Sequence, residues 1–324
     1  MINYTSEKDK NQANMIEEKY TIKKNQNLNL INFIDKHISE ANKLRINECG
    51  SYLEFLGDAT MENKKLYKSN FCTNRFCPMC SWRKTKKDAL QISLIMEYLK
   101  KEVGYEFIFL TLTAPNIPGD KLNDEIKDFN KSFKRLSERN EFKKINKGYV
   151  RKLEITYNKK ENTYHPHFHI IISVTRSYFK NKDYLSKKKF LELWKKCKRD
   201  ETITQVDVRK IDVSDKKAIS EIAKYGVKNS DYTVSQEVFD IFYKVLKGKQ
   251  LVTYNGAFKE VLKLYKNGDL DYLKEVDLNY YIYLISHTWN FKKGEYNLFA
   301  FKELSHEEKL EVNKYNEVKT KESM

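Results

Sequence analysis

The fold is decided by RKLEITYN (151–158), KKENT (159–163) and YHPHFHIIISV (164–174). Two β-rich runs flank a short polar segment, which is the pattern of a hairpin. In the second run His165, His167 and His169 recur at every second position, so a strand sets all three on one face. Imidazoles spaced i, i+2 on a strand can converge on one divalent ion. A hairpin centred near residue 160 places Glu154 roughly opposite His167, where it offers a carboxylate as third ligand. A slip of one residue would turn Glu154 to the other face. A lone strand histidine is more often a satisfied polar group, but a pair beside an acid favours metal binding.

Working outward, FIFLTLT (107–113) is a further β-rich run, stopped by the prolines and glycine of APNIPGD. Residues 120–147 and 186–199 read as helices, the second around Leu191 and Trp194. TQVDVRKI (204–211) reads as a strand, and 235–247 as an amphipathic helix. YYIYLISHTWNF and EYNLFAF bracket KKG and predict a second hairpin, and the charged tail after Glu303 reads as solvated. The spacing also predicts a helix from about Ser214 to Ser230, N-capped by Ser214.

On that helix Glu221, Tyr225, Lys228 and Tyr232 fall within a wedge of about 60°, opposite Ile219, Ile222, Ala223 and Val227. A phenol with a free pKa near ~10 can attack a phosphodiester when a cation stabilises its phenolate. Lys228 could supply that cation or contact the phosphate, and Glu221 could accept a proton or activate water. An ordinary amphipathic helix would show a similar scatter of charge, so the reading leans on the histidines upstream.

Lys and Arg number 61 against 45 Asp and Glu, a formal net charge of +16 over 324 residues. That excess fits a polyanionic partner, since each neutralised phosphate releases counterions. The five cysteines are too few for a disulfide framework in a chain this long. Cys72-x4-Cys77-x2-Cys80, with Cys49 upstream, instead offers four thiolates for a structural Zn²⁺ in a reducing compartment. Cys197 is isolated and reads as a core thiol. Trp82, Arg83, Lys84, Lys86 and Lys87 follow as a basic, aromatic-tipped surface that either faces DNA or merely starts a solvated helix. A zinc nucleobase deaminase is excluded, because Cys77-Pro78-Met79-Cys80 has no accompanying H-x-E. There is neither a signal peptide nor an apolar run of the ~18 residues that a membrane span needs, so a cytoplasmic protein without a membrane partner is expected. The expected division is a polar arm (1–43), a four-cysteine module (44–90), a catalytic domain (91–250) and a C-terminal extension (251–324).

In order along the chain, FCTNRFCPMCSWRK, FIFLTLTAPN, RKLEITYN with YHPHFHIII, EIAKYGVKNSDY and, more weakly, LVTYNGAFKE resemble the rolling-circle replication initiators of small plasmids from Gram-positive bacteria, within the HUH endonuclease superfamily. The resemblance implies an α+β fold whose central antiparallel sheet is flanked by helices, with the FLTLT and HPHFH strands in the middle. It implies that His167 and His169 bind a catalytic Mg²⁺ or Mn²⁺, with His165 either a further ligand or behind one. Tyr225 matches the nicking tyrosine, Lys228 the motif lysine, and Glu221 the acid that directs water for the terminating cleavage. The implied product is a 5′-phosphotyrosine with a free 3′-OH. The implied partners are plasmid origin DNA, as a hairpin or single-stranded nick site, with a host helicase and DNA polymerase; a homodimer is left open. LVTYNGAFKE has Asn255 where a second glycine is expected, and Tyr232 leaves room for a two-tyrosine scheme. A single-strand transposase or relaxase is the rival within the same chemistry. A zinc-dependent repressor or copy-control protein is the rival outside it, and it leaves the HPHFH and tyrosine motifs idle.

Overall fold

The alternating hairpin forms in the register its histidines require: Asn158 pairs with Thr163, and Glu154 lies directly across from His167. The computed structural model describes residues 18–224 and 226–322, with side chains described as far as residue 314. Among these residues the strands are β1 (Tyr52–Asp58), β2 (Lys64–Ser69), β3 (Tyr105–Thr113), β4 (Gly148–Asn158), β5 (Thr163–Thr175), β6 (Val206–Ile211), β7 (Val252–Gly256), β8 (Tyr281–Asn290) and β9 (Glu295–Glu303). They form two antiparallel sheets in the orders β2-β1-β8-β9 and β6-β3-β5-β4-β7. The fold is α+β, with helices flanking antiparallel sheets.

The chain divides into two compact units, one from residues 1–81 with 275–324 and the other from residues 82–274. This differs from the expected division at three points. Residues 18–43 are not an arm, because Glu18–Ile34 and Glu40–Asn47 are helices. Tyr20, Lys24, Asn27, Leu30 and Ile34 make the buried stripe of the first helix, and two of these five are polar, which disguises the amphipathic pattern. The remainder of the arm, residues 1–17, lies outside the described residues. β7 joins the five-stranded sheet instead of starting an extension. The tail is a helix, His306–Glu322, with Asn313 hydrogen-bonded to the backbone of Tyr281 and Val312 packed near Leu56 and Leu304.

In the five-stranded sheet β5 is the middle strand, and IIISV is buried on both faces. One face carries Phe107, Phe109, Val150 and Ile171, covered by Ile92, Ile95, Ile219, Ile222 and Phe258. His167, His169, Lys152 and Glu154 continue this same face towards one end, by the alternation of β4 and β5. The opposite face is aromatic: Phe168 meets Phe129 and Phe133 edge-on at 5.4 and 5.8 Å, and Trp194 meets Phe129 at 5.6 Å.

The predicted 214–230 helix is shorter than its periodicity suggests. It spans Lys216–Ala223, and its N-cap is Asp215, not Ser214. A separate short helix follows at Asn229–Tyr232. Between them Gly226 lies along β4 and accepts a hydrogen bond from the Ile155 amide at 2.8 Å. A Cβ on Gly226 would stand 2.7 Å from the Leu153 carbonyl oxygen. The helix ends because the chain docks here as a strand-like partner. In LVTYNGAFKE, Gly256 (φ +52°) turns β7 into the Ala257–Asn267 helix. Asn255 pairs ordinarily with Tyr149, so no glycine is needed there. Replacing Gly226 by Ala is expected to lower the unfolding free energy by about 1–3 kcal/mol in urea titrations, through overpacking against β4.

Candidate functional site

β4 and β5 supply the candidate site. Glu154 Oε2 lies 2.9 Å from His169 Nε2 and 3.5 Å from His167 Nε2. One ligand atom from each of Glu154, His167 and His169 falls within 4.8 Å of the others, and all three residues are buried. The remaining ring nitrogens are engaged: His167 Nδ1 is 3.2 Å from the His165 carbonyl oxygen, and His169 Nδ1 is 3.2 Å from Thr111 Oγ1. Both Nε2 atoms therefore turn towards the carboxylate. An imidazole held through its far nitrogen is the usual support for a metal ligand. Two nitrogens and a carboxylate around one point suit a divalent cation, so these residues fit a metal ion.

The charges are balanced within the site. Burial alone would raise the Glu154 carboxyl, but hydrogen bonds from His167 and His169, with Lys152 nearby, hold it well below the usual carboxylate range. Burial lowers the His169 imidazolium, and the hydrogen bond to Glu154 only partly restores it. Lys152, invisible in the sequence as a site residue, is fully buried and donates from Nζ to the Glu221 carbonyl oxygen at 2.9 Å. Burial pushes its ammonium down to about 8, despite Glu154 and Glu221. Lys152 thus ties the metal-facing strand to the end of the Lys216–Ala223 helix.

The structure gathers some of the remaining sequence-predicted residues and separates others. Glu221 reaches the site, with Oε2 at 3.9 Å from His169 Nε2 and Oε1 bonded to Lys224. Tyr225 lies outside the described residues, between Lys224 and the docked Gly226 in sequence. Lys228 is exposed and precedes the short Asn229–Tyr232 helix, so it shares no continuous helical face with Glu221. Tyr232 is buried and packs edge-on to Phe239, which removes it from the face the sequence predicts. His165 is not among the three converging ligands; its ring lies tilted beside that of His167, with centres 5.3 Å apart.

The four cysteines converge in the other unit. Cys49 Sγ lies 3.5 Å from that of Cys80 and 3.6 Å from that of Cys77, and Cys72 lies 3.6 Å from Cys80. These gaps are too long for disulfides and close to the ~3.8 Å edge of a tetrahedral thiolate site with bonds of about 2.3 Å. Cys80 is held well below the ordinary thiol value by hydrogen bonds from Cys49, Cys72 and Cys77, while the same cluster pushes Cys77 up. The Cys72 amide reaches Cys49 Sγ at 3.3 Å, and the Thr73 amide reaches Cys80 Sγ at 3.2 Å. From the first helix Asn27 Nδ2 donates to Cys77 Sγ at 3.3 Å. Lys24 donates to the carbonyls of Asn47 and Cys49 and brings its ammonium to the thiolates. The set fits a soft tetrahedral ion, and Lys24 and Asn27 are partners that sequence reading misses.

Fold and donor sets together define an α+β protein with two groups able to hold metal ions. Residues 63–297 match the family model described as replication protein. The chain is 49% identical over 220 residues to Protein rep of Staphylococcus aureus, covering 68% of this chain and 96% of that one. It is 36% identical over 251 residues to Protein rep of Bacillus amyloliquefaciens (70% and 74% covered) and 36% identical over 245 residues to Protein rep of Streptococcus pneumoniae (71% and 76% covered). No solved structure matches the chain significantly. The chain belongs to this replication protein family, the plasmid initiators of Gram-positive bacteria that its motifs resemble. Among the described residues no helix is long and apolar enough to cross a membrane.

Two outcomes follow from the electrostatics. Lys24→Met is expected to weaken metal retention by the cysteine set about ten- to a hundredfold, read by competition with a chromogenic chelator. Unchanged retention would show that Lys24 does not support the set. Glu154 has a depressed folded pKa, so its contribution to stability is present above its unfolded pKa of about 4 and is lost as pH falls. Without added divalent ion, Glu154→Gln is therefore expected to unfold more easily than the parent near neutrality, with the gap closing in acid.

Proposed function

We propose that this chain initiates plasmid rolling-circle replication by nicking one strand of its origin through Tyr225. The observation that carries the reading is the buried His167–His169–Glu154 set, with Glu221 beside it on the helix that leads to Tyr225. Under this reading His167, His169 and Glu154 hold Mg²⁺ or Mn²⁺, and Cys49, Cys72, Cys77 and Cys80 hold Zn²⁺. A bound divalent ion supplies Lewis-acid polarisation of the scissile phosphate.

The chain's own residues do the rest. The Tyr225 hydroxyl gives up its proton to solvent as its oxygen attacks phosphorus, forming the 5′-phosphotyrosine while the bond to the 3′-oxygen breaks. That oxygen takes up a proton and leaves as a free 3′-OH for a host polymerase to extend. Lys228, exposed and close in sequence, contacts the strand's phosphate as it settles. Glu221 sits 3.9 Å from His169, and it takes a proton from a water that attacks the regenerated site, breaking the bond to the 3′-oxygen. The freed 3′-OH then attacks the 5′-phosphotyrosine, closing the circle and returning the Tyr225 hydroxyl. Lys152 keeps Glu221 in reach by holding the end of its helix to β4. A host helicase would supply the unwound strand. Burial of Tyr232 disfavours a two-tyrosine transposase scheme.

Incubation with supercoiled plasmid bearing the cognate origin and Mn²⁺ tests the reading. Open-circular DNA carrying covalent protein on a denaturing gel is expected for the parent and absent for Tyr225→Phe. An unchanged adduct in Tyr225→Phe, or no nicking by the parent at its own origin, contradicts it. Glu221→Ala is expected to nick at near-parental rate and to release closed circles at least about tenfold more slowly. If release is unaffected, Glu221 does not direct the water.

A further inference from the structure

On the face of β4 opposite Glu154, Arg151 lines a cavity of about 210 Å³ together with Lys127, Asn130, Lys249 and Gln250. Its guanidinium carbon lies over two nearly perpendicular rings, 4.2 Å from the centre of Phe168 and 4.5 Å from that of Phe133. Nη2 donates to Asn130 Oδ1 at 2.8 Å, the one acceptor that the side chain reaches among the described residues. An arginine has five donors, so most of this fork is left for something else. Among the described residues no carboxylate lines the cavity and no acid offsets Arg151: burial pushes it down to about 10, with only the Tyr149 hydroxyl acting the other way. It remains a full positive charge at neutral pH. Lys127 is held by Asp124 at 2.8 Å, outside the lining.

A half-buried guanidinium gains from an anion, and a planar fork backed by aromatic rings suits a bidentate oxyanion. We infer that this cavity receives a phosphate group of the DNA strand flanking the nick, with Arg151 as its fork and Asn130 and Gln250 at its sides. The inference rests on the DNA-nicking reading and extends it to the back of the sheet. Its wall connects with the reaction: the Leu153 amide donates to the Leu251 carbonyl oxygen at 2.9 Å. A Cβ on Gly226, the residue after Tyr225, would stand 3.1 Å from Leu251 Cδ1. Leu251 thus lines the cavity on one side and borders Gly226 on the other.

The test measures binding of a fluorescein-labelled single-stranded oligothymidylate by anisotropy, across several salt concentrations and without divalent ion. It uses the full chain in a Tyr225→Phe background, so neither nicking nor its absence affects the readout. Arg151→Met is expected to weaken binding about tenfold and to make the log–log salt slope shallower by about 0.7, the share of one single-strand phosphate. Gln250→Glu, which places a carboxylate beside Arg151 from an exposed position, is expected to weaken binding similarly without lowering the melting temperature. Parental affinity in both variants overturns the inference. So does a loss in Arg151→Met that only tracks a lower melting temperature while Gln250→Glu binds normally. If pyrophosphate stabilises the parent but not Arg151→Met, and oligothymidylate affinity is unchanged, the cavity takes free phosphate and the strand assignment is wrong.

Discussion

The pairing of Glu154 with His167 across the β4–β5 hairpin is the constraint on which the rest of the molecule depends. A carboxylate that is 5% exposed needs compensation, and two imidazoles with a buried lysine provide it. Shifting the register by one residue would bring Leu153 or Ile155 to that place and strand the histidines against an apolar core. The sheet therefore has a strong reason to hold one alignment. The aromatic layer on its other face is set by the same alternation, since Phe168 lies between His167 and His169.

The two donor sets separate hard from soft chemistry, one in each compact unit. Imidazole and carboxylate suit an ion that polarises phosphate oxygen, whereas four thiols suit one that only cross-links the chain. Each set has a buried lysine beside it. Lys24 approaches the thiols from the first helix, and Lys152, on the strand that carries Glu154, fastens the Glu221 helix to it. Both lysines donate to backbone carbonyls, Lys24 also to Asn27 Oδ1, so they fix positions as well as balance charge.

Much of this was legible in the sequence, and the exceptions have identifiable causes. The hairpin, its facing Glu154 and the cysteine spacing could be read because period-two alternation and thiol spacing are local signals. The 18–34 helix was not, because Lys24 and Asn27 occupy positions where an apolar residue would reveal a buried stripe. The 214–230 helix was overextended because its periodicity is genuine up to Ala223. Its end is decided by a hydrogen bond from Ile155, some seventy positions earlier in the chain. Lys152 is hidden because a lysine in an alternating strand ordinarily points to water, and alternation alone leaves His165 either a further ligand or behind one, since it does not say which imidazoles converge. The pairing of the cysteine segment with the β8–β9 hairpin in one unit depends on contacts across more than two hundred residues, which no window of sequence displays.

The central claim is that Tyr225, the residue before Gly226 in sequence, becomes linked to DNA. Peptide mapping by mass spectrometry, after nuclease trimming of the protein–DNA adduct and tryptic digestion, tests it most directly. The account predicts a nucleotide-phosphate mass on the short peptide between Lys224 and Lys228, hence on Tyr225, and its disappearance when His167 and His169 are both replaced by Ala. A mass on Tyr232 or another tyrosine, or an adduct that persists without the two histidines, would contradict it.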